Sequence, residues 1–326
     1  MPENHMTSTE EAMGAALTQY ANTMGKEFPT VPRLELSSCA DFEATAEIEK
    51  SDLVVTVSDG LVKTVIQFWD EACAALDMDA PADIMAHNSL TWLMLHELHH
   101  YELGHFDLTG KRSLTEAKDA NIFGVASRAT VSLPPALKDI AAGDLPKIEP
   151  CLEMQADADA SEMVLDAYSS DGWNIIRARA AAISGMMMLI EREDAKRGHD
   201  LSSHPKAATR IFQLLGHVME MPLIEAKIAQ QHPELRLDAT IPSDEEQSTY
   251  NRQVTIPAFL DAVDLALIAN ANNIREDLGE PADFFGDVQI AKLADPDDFP
   301  TMTTEGGVQW AGLVRLNGML LAELHR

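Results

Sequence analysis

Basic residues are scarce in this 326-residue chain: 24 lysines and arginines stand against 53 aspartates and glutamates, a net charge of −29. A field of that sign repels phosphate backbones, so no nucleic-acid partner is expected. Basic peptides would be attracted, although a solubilising or salt-adapted surface accounts for the charge at least as well. Cysteine is sparse too. Cys39, Cys73 and Cys151 are odd in number, far apart and without a CxxC pair, which excludes a disulfide framework and predicts free thiols in a reducing, cytoplasmic setting. Long apolar runs are missing: the longest, Ala180 to Ile190, falls well short of the roughly 20 residues that cross a bilayer and is expected to be a buried core helix. No basic start followed by an apolar stretch opens the chain, so no secretory leader is expected. No internal repeat or low-complexity tract stands out.

What remains is ordinary globular composition, 46% hydrophobic and 24% charged, and a folded protein follows. Helical spacing over residues 8–24 predicts a leading helix, part of an N-terminal extension covering 1–30. Between Pro32 and Ser58 the segments "RLELSS", "FEATAEIE" and "DLVVTVSDG" are short, partly alternating and β-branched, which predicts two or three strands. From Leu61 onward helical periodicity dominates. Residues 31–229 are expected to form the main domain. The polar stretch 230–259 holds three prolines and no clear period, and reads as a linker or lid. Residues 260–326 read as a C-terminal helical region. The fold class expected is α+β, mainly helical, with a small N-terminal sheet.

The stretch "LMLHELHHYELGH" (93–105) gathers four of the chain's 11 histidines. Residues four apart share a helix face, so His96 and His100 can reach one ion, and Glu97 lies one step round. This HExxH spacing suits Zn²⁺ held by two neutral imidazoles, with the glutamate taking a proton from water activated by the metal. Asn88 or Ser89 is expected to cap the helix start, and Gly104 to end it in the left-handed conformation. A third ligand is still needed. The HExxHxxGxxH pattern would place it at position 106, but that residue is Phe106, and Leu103 occupies the glycine position. The alternative lies in "CLEMQADADASEMVLDAY", where Glu153 can complete a His₂Glu site. Asp157, one turn later, can accept the free N–H of a ligand imidazole. His99 cannot share the ion with both neighbours and is expected to face another partner or solvent. His105 is expected to bond to the last turn of the helix.

These motifs together resemble the gluzincin metallopeptidases, whose second motif has the form ExxAD, matched here by Glu153, Ala156 and Asp157. "SSHPKAATRI" (Ser202 to Ile211) is similar to the HP…R segment of HtpX-type and CAAX-processing peptidases. "LVVTVSDGLV" is similar to the strand, turn and helix that precede HExxH in such enzymes. The HExxHxxxGH form with ExxAD and HP…R also resembles the soluble Lit-type phage-exclusion peptidases. The likeness covers about residues 50 to 215.

The resemblance implies a zincin-like core, His96, His100 and Glu153 as zinc ligands, Glu97 as general base and Asp157 as partner of a ligand histidine. His204 would donate to the oxyanion formed on the attacked carbonyl, or else simply sit at a helix start. Arg210 is expected to pair with an acid rather than with a peptide carboxylate. The implied activity is zinc-dependent hydrolysis of peptide bonds in a peptide or protein substrate. The alternative is a zinc-bound regulatory or binding protein without turnover, of which a phage-exclusion factor would be one form. The membrane enzymes' substrates do not carry over to a chain without a spanning segment.

Overall fold

Leu53, Val54, Val55 and Val57 are all buried, and they make β3 (Asp52–Ser58) the central strand of a three-stranded sheet. β1 (Arg33–Ser37) lies parallel on one side, with Leu34 opposite Val55 and Leu36 opposite Val57. β2 (Ala44–Glu49) lies antiparallel on the other, with Ala46 opposite Val55, and forms an edge. Lys50 and Ser51, at φ 54° and 112°, supply the two positive-φ positions that a tight hairpin between right-twisted strands requires. The computed structural model describes residues 2–110, 137, 140–196, 204–235, 241–293 and 296–324. Over these residues the chain is mainly helical with this one small sheet, the α+β class that the patterning predicts.

The sheet leads directly into helix. Ser58 Oγ accepts the N–H of Leu61 at 3.0 Å and caps α2 (Asp59–Ala75). α3 (Ala82–Glu102) then runs through the middle of the molecule, buried at every position from Ser89 to His100. Its start is not at Asn88 or Ser89: Pro81 occupies the N-cap position, and both residues lie inside the helix. Ser89 serves the core instead, accepting from Trp69 Nε1 (2.9 Å) and donating to the carbonyl of Ala182 (2.8 Å). A buried indole N–H needs such a partner, which explains a polar residue on this face. Gly104, at φ 74°, does end the helix in the left-handed region, and α4 (His105–Thr109) turns back at once.

α5 (Ile148–Leu165) packs along α3, as do α6 (Trp173–Lys196) and α1 (Pro2–Met24). α1 is thereby part of the core rather than an extension to it, with Ala12, Ala16 and Tyr20 buried. The Ala180–Ile190 run is buried throughout, as expected for a core helix. α7 (Ala207–Gln231) lies against α6 and against the last helix, α12 (Glu305–Leu324).

Much of the stretch read as linker or lid is helix. α8 (Asp244–Tyr250) passes through a π turn, Asn251–Thr255, into α9 (Ile256–Ile268). A reciprocal capping box between Ser243 and Glu246 starts it. Tyr250, Val254 and Ala258 are buried, and Tyr250 Oη donates to the carbonyl of Val218 at 2.9 Å. The polar, proline-containing texture hid a core element. α10 (Asn272–Leu278) and α11 (Pro281–Leu293) complete the C-terminal region. The three cysteines are free. Among the described residues no helix is long and apolar enough to cross a membrane.

Gly185 on α6 is where three helices close on one another. A Cβ there would sit 2.7 Å from Trp69 Cζ2 and 2.9 Å from Phe68 Cε1. Gly185→Val is expected to lower the free energy of unfolding by about 3 kcal/mol, the upper part of the overpacking range. Its helix-propensity gain, under about 1 kcal/mol, does not offset this. A urea midpoint equal to that of the wild type would show that the Trp69 contact is not tight.

Candidate metal centre

Helix geometry places His96 and His100 one turn apart on α3, and α5 brings Glu153 against them. His96 Nε2 lies 3.2 Å from His100 Nε2 and 3.1 Å from Glu153 Oε2, and His100 Nε2 lies 3.6 Å from Glu153 Oε1. One ligand atom from each of the three falls within 4.8 Å of the others, and the three residues are only 2%, 4% and 6% exposed. His96, His100 and Glu153 thus form a buried group that can hold a metal ion.

The fit is supported by an orphaned atom. Glu153 Oε2 is buried and has no hydrogen-bond partner, although His96 Nε2 and His204 Nε2 stand 3.1 and 3.3 Å away. Close approach without hydrogen-bond alignment is what side chains show when they aim at a common point between them. An unsatisfied buried carboxylate oxygen costs more than the ~1–3 kcal/mol of a neutral group, and a cation at that point would satisfy it. Two imidazoles and a carboxylate are the donor set of three-ligand sites that keep a fourth position open.

Around this group the protein builds two separate supports. On one side His96 Nδ1 meets Asp157 Oδ1 at 2.9 Å, close but bent away from the in-line direction of a ring N–H. Asp157 is gripped by Arg210 from α7 through two bonds of 2.6 Å, Nε to Oδ2 and Nη2 to Oδ1. The guanidinium lies 5.5 Å above the Trp92 ring, and Trp92 Nε1 donates to Ser161 Oγ at 3.0 Å. Arg210 therefore pairs with an acid, as expected. On the other side His105 bonds to the last turn of α3 as expected, through the ring of His100. Gly104 swings it under the helix, where its Nδ1 lies 2.9 Å from His100 Nδ1 and its Nε2 lies 3.0 Å from Gln155 Oε1.

Glu97 lies beside the centre on α3, 8% exposed. Burial, opposed by the His96 charge, raises its carboxyl to about 7, and a backbone hydrogen bond from Ala46 on the edge strand holds the charged form in place. His96 is pushed the other way: burial disfavours its charge, but the facing carboxylates of Asp157 and Glu153 outweigh that and raise it to about 10. Glu153 and Asp157 are both lowered despite burial, the first by His204 and His100, the second chiefly by Arg210. Burial holds His100 neutral, well below the usual histidine range.

His204 enters from the segment before α7. Its Nε2 faces Glu153, its Nδ1 lies 3.0 Å from Asp194 Oδ2 on α6, and its side chain is 26% exposed. It is the most open group of the centre. Ser202 and Ser203 of the HP…R stretch lie outside the described residues. His99 turns away from the centre: its Nδ1 lies 2.6 Å from the carbonyl of Leu95, and its ring lies 6.3 Å from that of Tyr20. Every residue singled out from the sequence as ligand, base or support is thus brought to one place. His105, Gln155, Asp194 and the Ala46 N–H were not foreseen there. The only signal was the HExxHxxxGH spelling, which contains His105.

Comparison of the chain with protein-family models, with curated proteins and with solved structures finds no match. The resemblance to gluzincins therefore rests on its motifs, and the centre is read from its own geometry.

Two outcomes follow. Arg210→Met leaves Asp157 buried and uncompensated, and should cost about 3–5 kcal/mol of stability in urea denaturation; a loss below 1 kcal/mol would show that Asp157 does not need its partner. His99, buried and lowered to about 4, gives a pH effect. Below the ordinary histidine pKa of about 6.5 the unfolded chain binds a proton there that the folded chain refuses until about pH 4. Stability therefore falls as pH drops through that window, by up to about 1.4 kcal/mol per unit for this residue. His99→Phe should remove that part of the slope between pH 6.5 and 5; an unchanged slope would mean that His99 is not held neutral.

Proposed function

We propose that the chain is a zinc-dependent metallopeptidase of gluzincin type, with His96, His100 and Glu153 as ligands. The observation that carries this reading is the place of Glu97, a buried carboxyl on α3 beside the group that can hold a metal ion. A carboxylate beside a metal-held water is suited to both halves of a proton transfer, acceptance and release. A divalent ion in the site would supply Lewis acidity at a carbonyl and lower the pKa of water.

The chain's own groups supply the rest. Glu97 takes the proton of the attacking water and returns it to the leaving amine. His204, half-open to solvent and held by Asp194, is placed to donate to the oxygen that gains charge on the attacked carbonyl. Asp157 and Arg210 hold the His96 ring, and take no part in the transfer. Zinc is favoured over harder ions because two of the three donors are imidazoles.

Low exposure of His96, His100 and Glu153 favours a second reading, a protein that holds zinc without turning over a substrate. Zinc content and casein cleavage by the wild type and Glu97→Gln separate the two. The peptidase reading expects one equivalent of zinc in both, with cleavage reduced roughly 10²–10⁴-fold in the variant, the usual worth of a positioned proton-transfer group. Zinc in both with equal residual cleavage would overturn the role of Glu97. Zinc without cleavage by either would favour the non-catalytic reading, and no zinc in either would overturn both.

A further inference from the structure

Asn317 stands on the last helix, far from the HExxH segment in sequence, yet its orientation reaches the centre through three contacts. Its Oδ1 accepts from Gln155 Nε2 at 2.8 Å. An amide oxygen only accepts, so the Gln155 group facing it is the NH₂, and Oε1 is turned toward His105 Nε2 at 3.0 Å. That oxygen also only accepts, so the hydrogen of His105 sits on Nε2, and the Nδ1 of the neutral ring is bare. The bare nitrogen lies 2.9 Å from His100 Nδ1. His100 must then carry its hydrogen on Nδ1 and turn an unprotonated Nε2 toward His96 and Glu153. That is the tautomer a metal ligand requires.

We propose that His105, Gln155 and Asn317 are positioning residues that fix the tautomer and ring orientation in which His100 binds zinc, which makes α12 part of the metal centre. The inference rests on the metal-centre reading above and extends it to a helix that no motif marks. His105 is fully buried and Gln155 3% exposed, so water does not substitute for either bond. The place of α12 is itself built: Leu313, Leu316 and Leu320 pack with Cys151, Leu152 and Met154 of α5 in a second, smaller core. Asn317 therefore meets Gln155 because two packed helices hold both. The arrangement differs from the other ligand, since His96 faces a carboxylate paired with a guanidinium and His100 faces a chain of neutral groups. Partners of ligand imidazoles typically change metal affinity about 10–100-fold when removed.

The test is Zn²⁺ affinity of the full chain, by competition with a chromophoric chelator, for the wild type, Gln155→Leu, Gln155→Glu and Asn317→Leu. Nitrogen-15 NMR of the ring nitrogens of the zinc-loaded wild type accompanies it. Gln155→Leu should weaken Zn²⁺ binding by about 10–100-fold, and Asn317→Leu should weaken it in the same direction. Gln155→Glu, which keeps an acceptor at the same atom at the cost of an added buried charge, should bind Zn²⁺ more tightly than Gln155→Leu, an outcome a merely structural role for the glutamine would not give. The spectrum should show His105 with Nδ1 bare and Nε2 protonated, and His100 with Nδ1 protonated; this holds on the wild type even if a leucine variant fails to fold. Wild-type affinity in a folded Gln155→Leu, or a protonated His105 Nδ1, overturns the inference while leaving the metal centre intact. No Zn²⁺ bound by the wild type overturns the metal centre and the inference with it.

Discussion

The ion pair between Asp157 and Arg210 is the interaction on which the centre depends. Both groups are almost wholly out of water, at 3% and 1% side-chain exposure. Charges so placed are tolerated only when paired and further hydrogen-bonded. The bidentate geometry satisfies both carboxylate oxygens. The Trp92 ring beneath the guanidinium comes from the helix that carries His96 and His100. One pair therefore fixes α3, α5 and α7 to each other at the point where the ligands meet. Without that pairing, Glu153 and the two imidazoles would have no rigid frame in which to approach within 4 Å.

The second support works by different physics. The groups from His100 to Asn317 are neutral, so each accepts or donates according to the direction of its neighbour's bond and not according to charge. Adding a further carboxylate there would have raised the negative charge of a pocket that already contains Glu97, Glu153 and Asp157. A polar, uncharged support avoids that penalty, but it works only if every member is satisfied. The packing of α12 on α5 meets that condition.

What could be read from the sequence was local or periodic. His96 and His100 are one turn apart on α3, as are Glu153 and Asp157 on α5, and four-residue spacing on a helix is legible without any structure. The small sheet was visible in the β-branched run around Val54, and the end of α3 in Gly104. The contacts between Gln155 and Asn317 and between His204 and Asp194 were not legible, because they join different helices and leave no period in the chain. Ser89 was mistaken for a cap because a serine near a helix start usually is one; here a buried tryptophan claims its hydroxyl. The stretch 230–259 reads as a connection in the sequence because the π turn at Asn251–Thr255 breaks the 3.6-residue rhythm. Tyr250, Val254 and Ala258 do not announce themselves as one face across it.

Gly104 does more than stop a helix. Its left-handed turn keeps His96, His100 and His105 within ten consecutive residues, so most of one side of the centre belongs to a single short piece of chain. Glu153 must be supplied from some fifty residues downstream. Bringing two such distant points together costs chain entropy that grows only with the logarithm of the intervening length, about 0.6 kcal/mol for each doubling. A single insertion at Gly104 would instead rotate His105 away from His100. Between His96 and His105, then, the number of residues is fixed by the geometry of the centre itself.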